Sequence, residues 1–557
     1  MKKLIIGHIP NELNPSELII LGPWSFIDNQ SLLFENKSNI EPDPYLSNIE
    51  LGKDAILAQE IIDHNLNDLV IYLNKINSSD YSDSFWKILI MPWFSTLIQI
   101  TIERYRRFEK LLMKYKCPIE VDLLTEDKIS KFKDTKDFFE NGVQSIKFNH
   151  WLFSRIIENN INNDIKIKWV DAYSDSPLKN INQNPKSLKY RTKKLLNKFF
   201  PASSVYGISF IESPLWELLI YLKKFKEIEK RDKKSYYSQN KYNNHDFVIN
   251  WKKLFINTLP QEFKRIPNNL YRPKPRFILT GQRNFYQINV ENKLSLAMHK
   301  EVGSKIICSQ HGSRYGTLQS IPYINSIEYD QDWFISWGWT KQSNYKINTI
   351  DLPSPYLQNK RKKIINQILF IGQDSPLFSY RLDSIPQPND YIEIAYEVNN
   401  FVSNLDERIK NNLKFRFYPE KRCNIDYDLF FKDIIKSKSK YFFDKDHIFT
   451  SKLVVIDHPG TIFHQRMALN LPTIGFWDES KWGFCYQAKP YFDNLRKVGV
   501  IQKTGSDASK KINEKYFIFD EWWMRSSRQN AICDWNNKFA KSSKNWRKNW
   551  IKTLWKL

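Results

Sequence analysis

Cysteine is sparse and scattered in this chain: five residues in 557, at Cys117, Cys308, Cys423, Cys485 and Cys533, with no C-x-x-C pair. None has metal-ligand spacing to a histidine, which excludes a zinc ribbon or finger. An odd, widely spaced set also argues against a disulfide framework, and reduced thiols in a cytosolic protein fit best. A signal peptide is not expected, because Pro10 and Asn11 cut the apolar stretch that follows Met1-Lys2-Lys3. No apolar run reaches the ~20 residues that a bilayer demands. The most apolar segment, 88–102, carries Pro92, Ser95, Thr96 and Gln99, and reads as a buried helix rather than a span.

Several chemical signatures are missing too. There is no G-x-x-x-x-G-K-[ST] phosphate loop and no G-x-G-x-x-G after a strand. No G-x-S-x-G elbow supports a hydrolase. No D-x-D follows a buried strand, which disfavours metal-dependent transfer on a single nucleotide domain. No RNA-binding signature appears, so specific nucleic-acid recognition is not expected and would rest on charge alone.

Charge is abundant. Lys plus Arg number 84 against 61 Asp plus Glu, a net +23. Such an excess suits an anionic partner: a nucleotide, a nucleic acid or a membrane surface. It equally suits a Lys-rich composition spread over many faces. With 41% hydrophobic and 15% aromatic residues the chain can build real cores, and its length favours two large domains.

The N-terminal half reads as a buried strand at 18–25, mixed helix and strand over 53–78, and a strongly helical stretch at 84–115. Helix-like segments follow at 211–257, interrupted by a Lys/Asn/Tyr-rich excursion at 229–245. From residue 275 strands and helices alternate: strand 277–280, helix 288–300, strand 305–309 and strand 333–339. A linker is expected at 351–363, with Pro353, Pro355 and Lys360-Arg361-Lys362-Lys363. Beyond it come strand 367–372, helix 390–404, strand 414–418, strand 452–457, helix 461–470 and strand 472–477. Strand–helix–strand order implies parallel pairing with crossover helices. The expected fold is α/β, with two Rossmann-like doubly wound domains, 1–350 and 351–530, and extra helices in the first. The tail, 531–557, is read as one helix. Trp535, Phe539, Trp546, Trp550 and Leu554 form an apolar stripe, and basic residues cover the rest.

In doubly wound sheets ligands bind beyond the carboxyl ends of strands, and two such ends concentrate reactive residues. The first is Ser309-Gln310-His311-Gly312-Ser313-Arg314-Tyr315-Gly316. His311 is a potential general base near neutral pH. Arg314 can pair with a phosphate or carboxylate, and Gln310, Gly312 and Tyr315 would line the cleft. A tight turn with a structural histidine is the plainer alternative. The second is Asp457-His458-Pro459-Gly460-Thr461, where a strand feeds a helix whose N-terminus makes a ready anion site. There Asp457 is a possible catalytic carboxylate, while His458, Gly460 and Thr461 would hold a phosphate. Asp457 and Thr461 could instead be only helix caps. Arg416 and Tyr418, at the end of a neighbouring strand, and Gly372 and Asp374, at the end of another, are further donor-side candidates. Glu328 or Asp332 could replace His311 as base.

Several of these segments together resemble a family of transferases found in bacterial O-antigen and capsule loci, similar in style to capsule transferases that use CMP-activated acidic sugars. The matching pieces are Leu21-Gly22-Pro23-Trp24, Pro92-Trp93, Gln310-His311-Gly312-x-x-Tyr315-Gly316 and Asp332-x-Phe334-Ile335-Ser336-Trp337-Gly338-Trp339. Arg416-x-Tyr418-Pro419 and the block from Thr461 to Asn470-Leu471-Pro472-Thr473-Ile474 complete the set. The resemblance implies a GT-B arrangement: two Rossmann-like halves face a cleft, the donor sits mainly in the second, and no metal is held at the diphosphate. It implies a glycosyltransferase that moves a sugar from a nucleotide-sugar substrate to a surface-polysaccharide or lipid-linked acceptor, without a cofactor. Gln465 stands where related folds carry a glutamate for the donor ribose, and an amide can still bond a hydroxyl. Ser313 stands where the family motif often has Gly. The implied location is cytoplasmic, at the inner face of the membrane if residues 534–557 contact anionic lipid. The competing class is a non-catalytic binder of an anionic polymer.

Overall fold

The computed structural model describes residues 2–9, 17–125, 129, 131–160, 165–171, 205–206, 249–266, 277–280, 290–358, 363–373, 375–417, 425 and 447–557. Among them three parallel sheets carry the fold. The N-terminal sheet joins β1 (Lys2–Ile5), β2 (Leu18–Ile20), β3 (Ile119–Leu124) and β4 (Ile165–Val170) in the order β2-β1-β3-β4. The middle sheet runs in sequence order through β5 (Val205–Tyr206), β6 (Phe277–Thr280), β7 (Lys305–Ser309), β8 (Trp333–Ser336) and β9 (Thr349–Asp351). The third contains β10 (Ile365–Ile371), β11 (Leu413–Arg416), β12 (Ser451–Ile456), β13 (Thr473–Phe476) and β14 (Ile501–Gln502), ordered β11-β10-β12-β13-β14.

The α/β class with Rossmann-like parallel sheets is therefore as the sequence implies. Parallel strands need crossovers that cover both sheet faces, so central strands become continuous apolar runs. Phe277-Ile278-Leu279-Thr280 and Leu453-Val454-Val455-Ile456 are buried throughout. The span 1–350, expected as one unit, holds two parallel sheets.

Two long helices stand between them, α1 (Asn48–Asn77) and α2 (Asp83–Lys114). Each is capped by a serine side chain: Ser47 accepts from the Glu50 N–H, and Ser82 from the Phe85 N–H. The expected mixture of helix and strand over 53–78 is corrected to uninterrupted helix. Buried Leu51, Ala55, Ala58, Ile62, Leu66, Leu69 and Leu73 recur every three or four residues, a helical period. α2 is long and apolar enough to cross a membrane, but 94% of its most apolar stretch is buried inside the fold. It packs against α1 and α3 (Val290–Glu301).

The loop after β10 clamps the third sheet's domain onto the first. Phe378 packs on Trp24 at 4.5 Å, and the Leu382 N–H donates to Gln99 Oε1 at 3.0 Å. Arg104 Nη2 donates to the Ser379 carbonyl at 2.9 Å. Leu21-Gly22-Pro23-Trp24 is thus packing surface, with Trp24 1% exposed.

In the third domain, α4 (Thr461–Ala468) follows β12. The C-terminal segment forms two helices, α5 (Ser526–Phe539) and α6 (Trp546–Leu554), rather than one. The stripe breaks in its seven-residue step between Phe539 and Trp546. Trp535 packs on Phe463 and Phe492 in the main core. Trp546, Trp550 and Leu554 pack with Phe277, Leu279, Ile307 and Ile335 of the middle sheet. The apolar side of the stripe is thus buried inside the fold, and basic residues such as Lys548 and Lys552 face solvent.

Candidate active site

The order of the third sheet reverses direction at β10: β11 lies on one side, and β12, β13 and β14 on the other. Loops leaving such a switch point diverge and open a crevice beyond the strand ends. The β10 loop starts at Gly372-Gln373 and the β12 loop at Asp457-His458. Asp457, 2% exposed, ties them together, because its Oδ1 accepts from the Gln373 N–H at 3.0 Å. The same oxygen lies 2.7 Å from His458 Nδ1. Asp457 is thus buried behind His458 and orients it, which fits a positioning part better than the expected catalytic contact.

His458 leans over the start of α4. A Cβ built on Gly460 would lie 2.4 Å from His458 Nε2, so only glycine leaves room for the ring there. Gly460 is the N-cap and offers no side-chain acceptor to the first turn. Thr461 is the first helical residue. Neither Asp457 nor Thr461 acts as the cap, so the capping alternative fails. Uncapped N–H groups at a helix start favour an anion.

The facing wall comes from the middle sheet. β7 ends at Ser309, and Gln310 turns the chain. Its Oε1 accepts from the Trp337 N–H at 2.9 Å and from Trp339 Nε1 at 2.7 Å, while its Nε2 donates to the Gly312 carbonyl at 2.8 Å. Gln310 is therefore a buried brace, a correction to its expected place in the cleft. The brace fixes the next residues. The His311 side chain is 17% exposed, and its ring meets Tyr315 edge-on at 5.1 Å. Gly312 faces the other domain: a Cβ built there would lie 3.7 Å from Thr461 Oγ1. The His311 loop and the Asp457–Thr461 turn, 149 residues apart between Gly312 and Thr461 (461 − 312), are thus brought face to face, with room for little more than a methyl group between them.

Other expected residues are distributed more widely. Arg314 spans to the β10 loop, with Nη1 3.1 Å from Oδ2 of fully buried Asp383. It joins the domains rather than standing free for a ligand. Tyr315 is 2% exposed and donates to Glu328 Oε1 at 2.7 Å, so it stands behind His311 rather than in the cleft. Glu328, also 2% exposed, sits deeper still, which removes it as an alternative base. Asp332 is removed as well, being held by Lys300 Nζ at 2.7 Å and the Ile306 N–H at 2.8 Å. Arg416 closes β11, where its carbonyl accepts from the Gly372 N–H at 3.1 Å. Gly372 is required by packing, since a Cβ would meet Phe417 Cδ1 at 2.6 Å. Gln465 is partly exposed, one turn along α4 from Thr461. Asp374 and Tyr418 lie outside the described residues. Among the described residues no three His, Cys, Asp or Glu side chains come together to hold a metal ion.

One residue that sequence reasoning passed over supports the second turn from beneath. His464 is fully buried in α4, with Nδ1 3.3 Å from the Gly460 carbonyl and its ring edge-on to Trp337 and Trp535. Burial pushes its imidazole down to about 4. An unfolded histidine titrates near 6.5, so between the two values the unfolded chain binds more protons than the folded one. Stability is then expected to fall as pH drops through that window, by about 3 kcal/mol in all. Urea unfolding at pH 7 and pH 4.5 checks this. A His464→Gln protein, which has no proton to gain there, should show a shallower acid loss, and an identical slope in both proteins refutes it.

Comparison with known proteins adds three findings. A family model described as LIC12162 family transferase matches residues 2–554. No curated protein matches the chain. A solved structure of an alpha,alpha-trehalose-phosphate synthase (UDP-forming) from Burkholderia xenovorans in complex with glucose-6-phosphate is similar at 9% identity, covering 50% of this chain and 72% of its own, with a TM-score of 0.25.

Proposed function

The chain belongs to the LIC12162 family of transferases, and from that premise we propose that it is a glycosyltransferase taking its sugar from a nucleotide-sugar donor. One observation carries the reading: a histidine loop and an uncapped helix start face each other across two parallel-sheet domains, so close that a methyl group on Gly312 would touch the Thr461 hydroxyl. The donor's phosphate would lie on the first turn of α4, between the Thr461 hydroxyl and the His458 imidazole. His458 Nε2 would neutralise the leaving group. Gln465, one turn further on, suits a ribose hydroxyl, and Arg416 borders the same crevice. His311, from the opposite wall, would take the acceptor hydroxyl's proton in an inverting transfer. No metal enters this scheme, because the helix start and His458 would supply the positive potential at the phosphate. A CMP-activated acidic sugar is the first donor to try, and a surface polysaccharide or lipid-linked glycan is the proposed acceptor.

A nucleotide panel tests it. One of CMP, UDP or GDP is expected to raise the melting temperature, since a ligand at a hundredfold excess over Kd stabilises by about 2.7 kcal/mol. Gly460→Val should abolish that rise, because its side chain displaces His458 and blocks the helix start. A shift with heparin or DNA alone, steeply salt-dependent, would support a polymer binder instead.

A further inference from the structure

The segment that ends the chain carries charge of one sign only. Between Lys541 and Leu557 stand six basic residues and no Asp or Glu. Lys541 pairs with Asp351. Lys544, Arg547, Lys548, Lys552 and Lys556 are exposed, and among the described residues none of the five pairs with a carboxylate. Other helices of the third domain mix their signs: Asp493 lies within Lys489–Lys497, and Asp507 and Glu514 lie within Gly505–Lys515. A lysine excess spread over every face would not clear one helix of acids in this way.

α6 is also held in one orientation. Trp550 and Leu554 are buried against Phe277, Leu279, Ile307 and Ile335 of the middle sheet, and Trp550 Nε1 donates to the Pro353 carbonyl at 2.8 Å. The Ser354 N–H donates to the Lys541 carbonyl at 2.8 Å. With the apolar side fixed inward, Lys548 and Lys552, one turn apart, point to solvent on the domain that carries His311. Steps of four continue this line to Lys544 before the helix and Lys556 after it. Beside that end stands Trp555, 38% exposed.

We propose that the outer face of α6 is a docking surface for an anionic lipid bilayer. Clustered cations gain attraction to such a surface residue by residue, and a part-exposed indole suits the boundary between headgroups and acyl chains. The apolar side is already used inside the fold, so the contact is electrostatic, shallow and reversible rather than an insertion. The choice of a lipid over another polyanion rests on the transferase reading: a lipid-linked acceptor would be presented to the domain that bears the proposed acceptor wall.

The test is co-sedimentation of the full chain with vesicles of one part phosphatidylglycerol to two parts phosphatidylcholine, and with vesicles of phosphatidylcholine alone. Binding is expected to the first and not to the second, and it should fall as salt rises from about 0.1 M to 0.5 M. Lys544→Gln, Arg547→Gln, Lys548→Gln, Lys552→Gln and Lys556→Gln together should weaken it by about 100-fold or more, with the melting temperature unchanged because all five side chains are exposed. A control variant loses the same charge from scattered exposed sites, Lys53→Gln, Lys75→Gln, Lys116→Gln, Lys503→Gln and Lys510→Gln, and should bind nearly as the wild type does. Equal losses in the two variants overturn the dock in favour of bulk charge. Equal binding to both kinds of vesicle overturns it too, as does tighter binding to single-stranded RNA than to the anionic vesicles. Should the fivefold variant fail to fold, Lys548→Gln with Lys552→Gln serves in its place, with a loss of about tenfold expected and unchanged binding overturning the dock. No donor enters the assay, so the two readings fail separately. Sugar transfer to a soluble acceptor without vesicle binding rejects the dock alone, and vesicle binding without transfer from any donor rejects the transferase reading alone.

Discussion

A His311→Ala protein is expected to turn over 10² to 10⁴ times more slowly, on the order of 3–5 kcal/mol of barrier, with the donor's KM nearly unchanged. The asymmetry follows from the two-walled site. His311 sits after the end of β7 on the proposed acceptor wall, whereas the proposed phosphate site belongs to the β12–α4 turn of the other domain. Removing a proton acceptor from one wall leaves the other wall's affinity intact. The fold should survive the change, because the Gln310 brace holds the loop through Trp337, Trp339 and the Gly312 carbonyl without using the histidine ring. Initial rates with the nucleotide sugar identified by the binding panel, together with a melting curve, check both halves. Full turnover in His311→Ala would remove the base from the mechanism. A large rise in donor KM would instead assign the residue to the donor.

How far this site could be read from sequence differs from residue to residue. β7, β10 and β12 are central parallel strands, buried on both faces, so each stands out as an apolar run that ends in a turn. The ends of those runs located both the His311 loop and the Asp457 turn. The N-terminal sheet was less legible. Its β1 and β2 are four and three residues long, and β4 interleaves Lys166 and Lys168 with its apolar residues as a half-exposed edge. Roles inside the loop could not be read at all. Gln310, His311 and Tyr315 look alike as polar residues beside glycine, and only packing separates buried Gln310 and Tyr315 from the partly exposed histidine. Glu328 lies thirteen residues beyond Tyr315 with β8 still to come, a spacing that no helical or strand period links. In the tail, the apolar stripe was visible and its target was not, because a helical stripe has the same spacing whether it meets lipid or the back of another sheet.

That last ambiguity sets the second large expectation. Gly338 follows β8 in the Trp337-Gly338-Trp339 turn, at φ +118, a region that side chains rarely adopt. A Cβ there would lie 2.4 Å from the Asn537 carbonyl oxygen and 3.0 Å from that of Lys538. Both atoms are α5 backbone. They cannot rotate away as a side chain would, and α5 is pinned by fully buried Trp535. Gly338→Ala must therefore strain the turn or lift α5 from the middle sheet. Backbone strain alone is worth about 1–3 kcal/mol, and loss of α5 packing takes the total to roughly 4 kcal/mol or more. Denaturant unfolding measures it, with Gly52→Ala as the control. Gly52 sits inside α1 with nothing within 4 Å of its built Cβ, so alanine there should be neutral or stabilise by about 0.5–1 kcal/mol. Were α5 and α6 a detachable membrane anchor, Gly338→Ala would release them at little cost to the rest of the fold. A cooperative loss of the whole transition would make the C-terminal segment a structural wall of the same cleft that carries His311.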